Sequence, residues 1–267
     1  MSAAADAGLE PPLAAGAPLA PGYVVESHLS RNQVLDVYHV WSAERDCSCI
    51  AKVLRPDCRT HERRRARLER EGRLLLELAH PHLVRAYEVL TEPELVLVLE
   101  TLGGDRLDRL ITLGQRRMPS VEVAELGVQL SSAVGYLHRN GWLHLDLKPT
   151  NVIVDLGHVR LFDLSLARRP GPGRPRYGTA GWLSPEQVRG GEFTEATDVF
   201  GLGCVLFAAA TRREPDAGRG GDRPPPVRTL RRLPASLAEA IDAALSDAPE
   251  DRPRVRELAA ACAAAAG

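Results

Sequence analysis

The chain has 267 residues, an apolar fraction of 44%, only 4% aromatics and a formal net charge of −1. That is enough for one large domain or two lobes sharing a cleft, with a core built mostly of Leu, Val and Ala. The balanced charge makes no electrostatic case for nucleic acid. No apolar run approaches the roughly 20 residues that cross a bilayer, so no membrane insertion is expected, and the N-terminus lacks the basic-then-apolar order of a signal peptide. The chain reads as cytoplasmic. Residues 1–22 are mostly Ala, Pro and Gly and read as a disordered leader. Val24 to Val40 alternates loosely, as two strands around a turn, and Ser48 to Leu54 reads as a third strand ended by Pro56 and Asp57. Glu62 to Ala79 is a predicted helix with Leu68, Leu74, Leu75 and Leu78 as its apolar positions. Arg85–Leu90 and Leu95–Glu100 complete a five-stranded sheet.

After Gly103-Gly104 the pattern changes. Leu107–Leu113 and Ser120–Asn140 read as helices, Val152–Val154 and Val159–Leu161 as short strands. Beyond Pro185 the chain is helical except for a Gly-, Asp- and Pro-rich loop at Glu214–Pro226. Leu237–Leu245 and Arg254–Ala265 are the last helices. A small sheet-rich lobe before a larger helical one is α+β architecture. Five cysteines argue against a disulfide framework, and Cys47 and Cys49 stand too close for a zinc site. The eight histidines support no metal site.

The chemistry concentrates in His144-Leu145-Asp146-Leu147-Lys148-Pro149-Thr150-Asn151, followed by Asp163-Leu164-Ser165. One acid, one lysine and one asparagine share a short loop, with a second acid beyond a hairpin. Phosphoryl transfer uses such a set: a carboxylate for the hydroxyl proton, an ammonium for the moving phosphoryl group, and two oxygen ligands for magnesium. The stretch resembles the catalytic loop and metal-binding turn of the eukaryotic-like serine/threonine protein kinases of bacteria, and the likeness extends from about Tyr23 to Cys262.

That resemblance implies a bilobal kinase-like fold over residues 23–267. A five-stranded lobe with one helix would take 23–102, and a helical lobe 103–267. It implies Asp146 as catalytic base, Lys148 against the γ-phosphate, and Asn151 and Asp163 as ligands for Mg2+ or Mn2+. Lys52 would hold the ATP phosphates and pair with Glu71, and Thr179 would lie under the substrate hydroxyl. Leu29, Val37, Ala51 and Leu99 would surround the adenine, and backbone groups of Glu100 and Leu102 would bond it. Glu186 in Ser184-Pro185-Glu186 should pair with Arg252, while Asp198 and Gly203 match the helix that anchors the catalytic loop backbone. The partner implied is a protein with a Ser or Thr acceptor.

Three departures from the family stand out. The glycine-rich loop falls on Ser30-Arg31-Asn32-Gln33-Val34-Leu35 and holds no glycine, the residue that lets backbone approach phosphate. Leu145 replaces the arginine before the catalytic aspartate, and residues 168–178 offer no Ser or Thr to phosphorylate, so phosphorylation is not expected to switch this segment. Leu164 and Ser165 replace Phe and Gly. The segment carries Arg168, Arg169, Arg174 and Arg176, which fits a solvated basic loop or a surface for acidic substrates. The reading favoured is an active protein serine/threonine kinase. A pseudokinase serving as a nucleotide-binding or scaffold module is the alternative, and a small-molecule kinase a third.

Overall fold

The computed structural model describes residues 10–114, 117–216 and 224–267. They fall into two compact units. One comprises the chain up to Ala79 together with Val84–Thr101, and the other His80–Leu83 with Leu102–Gly267.

The first unit is one antiparallel sheet and one helix. Its strands are β1 (Pro18–Ala20), β2 (Tyr23–Arg31), β3 (Leu35–Ser42) and β4 (Cys47–Leu54). After helix α1 (Glu62–Glu77) come β5 (Ala86–Leu90) and β6 (Val96–Glu100). The spatial order is β1-β2-β3-β4-β6-β5. The sheet thus has six strands, not five. The extra strand comes from the expected leader, of which residues 1–9 lie outside the described part. Pro18 and Ala20 pair with Val24 and Tyr23, and Gly16 N–H donates to Val25 O at 2.8 Å. Backbone pairing needs no alternating side chains, so an Ala/Pro-rich stretch gives no period-two signal for it.

One face of the sheet buries Tyr23, Val25, Tyr38, Val40, Cys49, Ala51, Val53, Val96 and Val98. Helix α1 buries Leu68, Glu71, Gly72, Leu74 and Leu75. Its approach to β5 is close: a Cβ on Gly72 would lie 2.3 Å from Val89 Cγ2, so only glycine fits beside Glu71. The helix ends two residues before the predicted Ala79, as His80-Pro81 disfavours helical backbone ahead of the proline.

The second unit opens with β7 (Asp105–Arg106), α2 (Leu107–Leu113) and α3 (Ser120–Arg139). β8 (Val152–Asp155) and β9 (His158–Leu161) form a hairpin that joins β7 in a three-stranded sheet. His80–Leu83 belongs here because Leu161 N–H donates to His82 O at 2.9 Å and Arg160 Nη1 to Leu83 O at 3.0 Å. β10 (Gly171–Pro172) follows, then α4 (Pro185–Arg189), β11 (Glu192–Phe193) and α5 (Glu195–Thr211). Helix α5 is buried on every side from Thr197 to Thr211, the pattern of a core helix. The short α6 (Val227–Leu230), α7 (Ala235–Ala244) and α8 (Val255–Ala266) close the chain. Of the loop expected at 214–226, residues 217–223 lie outside the described part, and the rest carries no helix or strand. All five cysteines are free thiols. No helix among the described residues is long and apolar enough to cross a membrane.

Candidate active site

In the first unit, strand pairing decides which residues share a face. Val37 and Leu97 stand opposite Lys52, and Leu99 stands opposite Ile50, so these five share one face of the sheet. Lys52 Nζ donates to Glu71 Oε1 at 2.8 Å, with both side chains buried. Val37 and Leu99 therefore lie on the face of Lys52. Ala51 does not. It pairs with Tyr38 and Val98 on the opposite face, inside the core, and Ile50 takes the place beside Lys52. A strand reverses its side chains at each residue, so a one-residue difference in alignment moves a side chain to the other face. Leu29 sits in a bulge of β2 between His28 and Ser30 and is exposed. Glu100 N–H donates to Arg85 O at 3.0 Å, and its carboxylate accepts from Arg85 N–H at 2.7 Å. Leu102 begins the second stretch of the other unit and is half-buried.

The glycine-free turn is closed upon itself. Asn32 Oδ1 accepts from Val34 N–H and Leu35 N–H, both at 2.8 Å, and Asn32 N–H donates to Leu35 O at 2.9 Å. Arg55 Nη1 donates to Asn32 O, and Arg55 N–H to Val34 O. At the base of the turn Arg31 makes a two-pronged pair with buried Asp36, at 2.7 and 2.9 Å. The amides that glycine would free for a phosphate are here bonded within the turn.

In the second unit, Asp146 is the hub. Its Oδ1 accepts from the Thr179 hydroxyl at 2.7 Å, and its Oδ2 from Lys148 Nζ at 2.6 Å. Lys148 Nζ also reaches Thr179 Oγ1 at 2.5 Å. Asn151 Nδ2 donates to Asp146 O at 2.9 Å and to Oδ2 at 3.3 Å, which turns the Asn151 amide oxygen away from that carboxylate. Phe162 N–H donates to Asn151 O, so Asp163 follows directly beside Asn151. Asp163 is held at φ 67°, a left-handed conformation, with Ser165 N–H on its Oδ1 at 3.3 Å. Leu164 is fully buried. Among the described residues, no group of three or more His, Cys, Asp or Glu is arranged to hold a metal. Two hard oxygens, one from Asn151 and one from Asp163, suit magnesium, which takes few protein ligands and completes its shell with phosphate and water.

The loop backbone rests on Asp198 of α5. Its two oxygens accept from His144 N–H and Leu145 N–H, each at 2.8 Å, and Oδ2 takes His138 Nε2 at 2.9 Å. Burial pushes the Asp198 carboxyl up, but the bonds from His138 and the backbone more than offset it and leave its pKa below the ordinary value. Burial also holds His144 below the usual histidine value, so this imidazole stays neutral and accepts Asp146 N–H on Nδ1. On the same helix as Asp198, Gly203 faces α7, where a Cβ would meet Ala244. Gly201 faces the loop, where a Cβ would sit 2.9 Å from Leu147 Cβ. Glu186 and Arg252 form the expected two-pronged pair at 2.7 and 2.9 Å.

Leu145 lies 3% exposed in an apolar cluster with Leu143 and Phe193, against which Tyr177 packs. Two supports escaped the sequence reading. Gln187 Nε2 bonds Leu145 O at 2.9 Å and Tyr177 O at 2.7 Å, fixing the segment before Thr179 to the catalytic loop. Ser184 and Gln187 at a three-residue spacing announce a helix cap, but nothing local announces this second use of the amide. His138 is the other, one helical side chain whose partner lies sixty residues away.

The family model of the protein kinase domain matches residues 23–260. The serine/threonine-protein kinase PkaA of Streptomyces coelicolor is 32% identical over 72% of this chain and 38% of its own length. The serine/threonine-protein kinase PrkC of Bacillus subtilis is 31% identical over 65% of this chain and 28% of its own. The chain thus spans well under half the length of these curated relatives. The crystal structure of the Mycobacterium tuberculosis PknI kinase domain superposes with a TM-score of 0.75 at 24% identity, over 95% of this chain and 99% of that one. With the Lys52–Glu71 pair, the loop at Asp146–Asn151 and the turn at Asp163 following one another along the matched residues, the chain belongs to the protein kinase domain family.

Proposed function

We propose that this chain is a serine/threonine protein kinase that transfers the γ-phosphoryl group of ATP to a protein hydroxyl. The observation that carries the reading is the hydroxyl of Thr179 between the Asp146 carboxylate and the Lys148 ammonium. A carboxylate so placed accepts a proton from a serine or threonine hydroxyl as its oxygen forms the new bond to phosphorus and the bond to the ADP oxygen breaks. Lys148 supplies positive charge where the phosphoryl oxygens gain negative charge. Lys52, held by Glu71, positions the α- and β-phosphates. Asn151 and Asp163 would hold magnesium or manganese, whose charge offsets that of the phosphates. Val37, Ile50 and Leu99 offer an apolar face to adenine beside Lys52, with main-chain groups of Glu100 and Leu102 as its hydrogen-bond partners. Protein substrates and a cytoplasmic setting complete the reading.

The test is label transfer from γ-labelled ATP, with magnesium or manganese, to a generic protein or peptide. Asp146→Asn should lower the rate on the order of 100-fold or more while nucleotide binding persists, and Asp163→Ala should abolish transfer. Nucleotide binding without transfer in the unmodified protein would point to the scaffold alternative.

A further inference from the structure

We propose that the activation segment is a recognition surface for acidic protein substrates, with Arg174 and Arg176 binding Asp or Glu side chains near the acceptor residue. This rests on the kinase reading above and names its substrate class. Residues 168–177 hold four arginines and no acid, in a chain whose net charge is only −1. Among the described residues none of the four has a carboxylate within 4.0 Å. Their contacts are with rings and carbonyls: Arg168 lies over Phe193, Arg169 over Trp142 at 4.3 Å, and Arg174 over Tyr177 at 5.6 Å. Arg168 and Arg169 spend N–H groups on the carbonyls of Arg169 and Asn140, whereas at Arg174 the ring contact orients the guanidinium plane and leaves its N–H edge to a carboxylate fork.

The segment is not a loose loop. Gly171 and Pro172 pair with Phe193 and Glu192. Arg176 N–H donates to Gln187 O at 2.6 Å, Gln187 Nε2 holds Tyr177 O, and the Tyr177 hydroxyl donates to Leu166 O at 3.0 Å. Arg174 and Arg176 are exposed on this fixed frame. A phosphate on the segment itself is not their partner, since residues 168–178 contain no Ser or Thr and the Tyr177 hydroxyl is engaged. Arg176 stands three residues before Thr179, so their Cα atoms lie within about 11 Å. A substrate whose hydroxyl meets Asp146 therefore brings its side chains two or three positions away within reach of these guanidinium groups, at about 3.3 Å per extended residue.

The experiment compares peptides with one serine, flanked either by Glu or by Ala and Gly at the neighbouring three positions on each side. Each exposed arginine–carboxylate pair is worth a few-fold at most. The Glu peptide should show about five-fold or higher kcat/KM, expressed in KM and shrinking at high salt. Arg174→Gln with Arg176→Gln should bring the two peptides together, and Arg176→Lys should restore part of the preference. Equal kcat/KM for the two peptides, or a preference that survives the double substitution, overturns the proposal. If neither peptide is phosphorylated, the kinase reading fails on its own. Fluorescence anisotropy of the labelled Glu peptide then decides this one: weaker binding to the double variant supports it, and equal binding overturns it.

Discussion

The carboxylate of Asp198 holds Leu145 in a backbone conformation that leucine rarely adopts. Leu145 has φ 64°, and its N–H donates to Asp198 Oδ1 at 2.8 Å. A left-handed conformation costs a non-glycine residue about 1–2 kcal/mol, and persists only where its surroundings impose it. The imposed bend carries Asp146 one residue further on. Asp198→Asn presents an amide N–H to a backbone N–H and leaves a buried donor unsatisfied. It should destabilise the fold by about 1–3 kcal/mol and sharply reduce transfer. Urea denaturation and label transfer measure both, and a variant of unchanged stability would remove Asp198 from this role.

Leu145 also fills the place beside the segment with an apolar side chain. Its side chain packs with Leu143, Phe193 and Tyr177 where many kinases keep an arginine for phosphate. Leu145→Arg would bury a guanidinium in an apolar cluster and should cost about 2–4 kcal/mol. Phosphatase treatment of the unmodified protein should leave activity intact. A large loss after dephosphorylation would place a phosphate-dependent switch elsewhere in the chain.

Lys52 and Glu71 are both buried and 2.8 Å apart. Removing one partner strands a buried charge, at about 3–5 kcal/mol, whereas removing both does not. Lys52→Met with Glu71→Leu should therefore be less destabilised than the sum of the single variants, with a coupling of about 0.5–3 kcal/mol. Strict additivity in urea melts counts against the pair.

The closed turn at Asn32 decides what glycines would do there. Ser30→Gly, Asn32→Gly and Leu35→Gly together remove two bonds to backbone amides and add chain entropy. The variant should lose about 1–3 kcal/mol of stability and bind ATP more weakly, as titrated by calorimetry. Tighter binding would show that the native turn obstructs the nucleotide.

Stability should fall as pH drops from 8 to 5. Burial holds His80, His82 and His144 below the usual histidine value. Below about pH 6.5 the unfolded chain takes up protons that the folded one refuses, so each such group lowers stability as acidity rises, by up to about 1.4 kcal/mol per pH unit for the fully buried His144 and by much less for the partly exposed His80 and His82. Asp198 and Glu186 extend the fall below about pH 4. Burial raises each, but hydrogen bonds from His138 and Arg252 hold both below the ordinary value, so acid protonates the unfolded chain first. Urea midpoints at pH 8, 6 and 5 measure this, and equal midpoints would contradict it.

The catalytic loop was legible in the sequence because Asp146, Lys148 and Asn151 lie within six residues, and a short loop leaves their spacing little freedom. The Lys52–Glu71 and Glu186–Arg252 pairs were legible only through resemblance, since nothing local joins residues 19 or 66 positions apart. Other features belonged to tertiary structure alone. Strand register put Val37, Leu97 and Leu99 on the face of Lys52. Backbone pairing made a strand of Pro18–Ala20. The turn at Asn32 spent its amides internally, and Gln187 and His138 found partners across the fold. Sequence sets which groups are present and how closely a loop can gather them. Which face a side chain takes, and which amides remain free, depends on pairing between distant segments, and that is settled only when the chain packs.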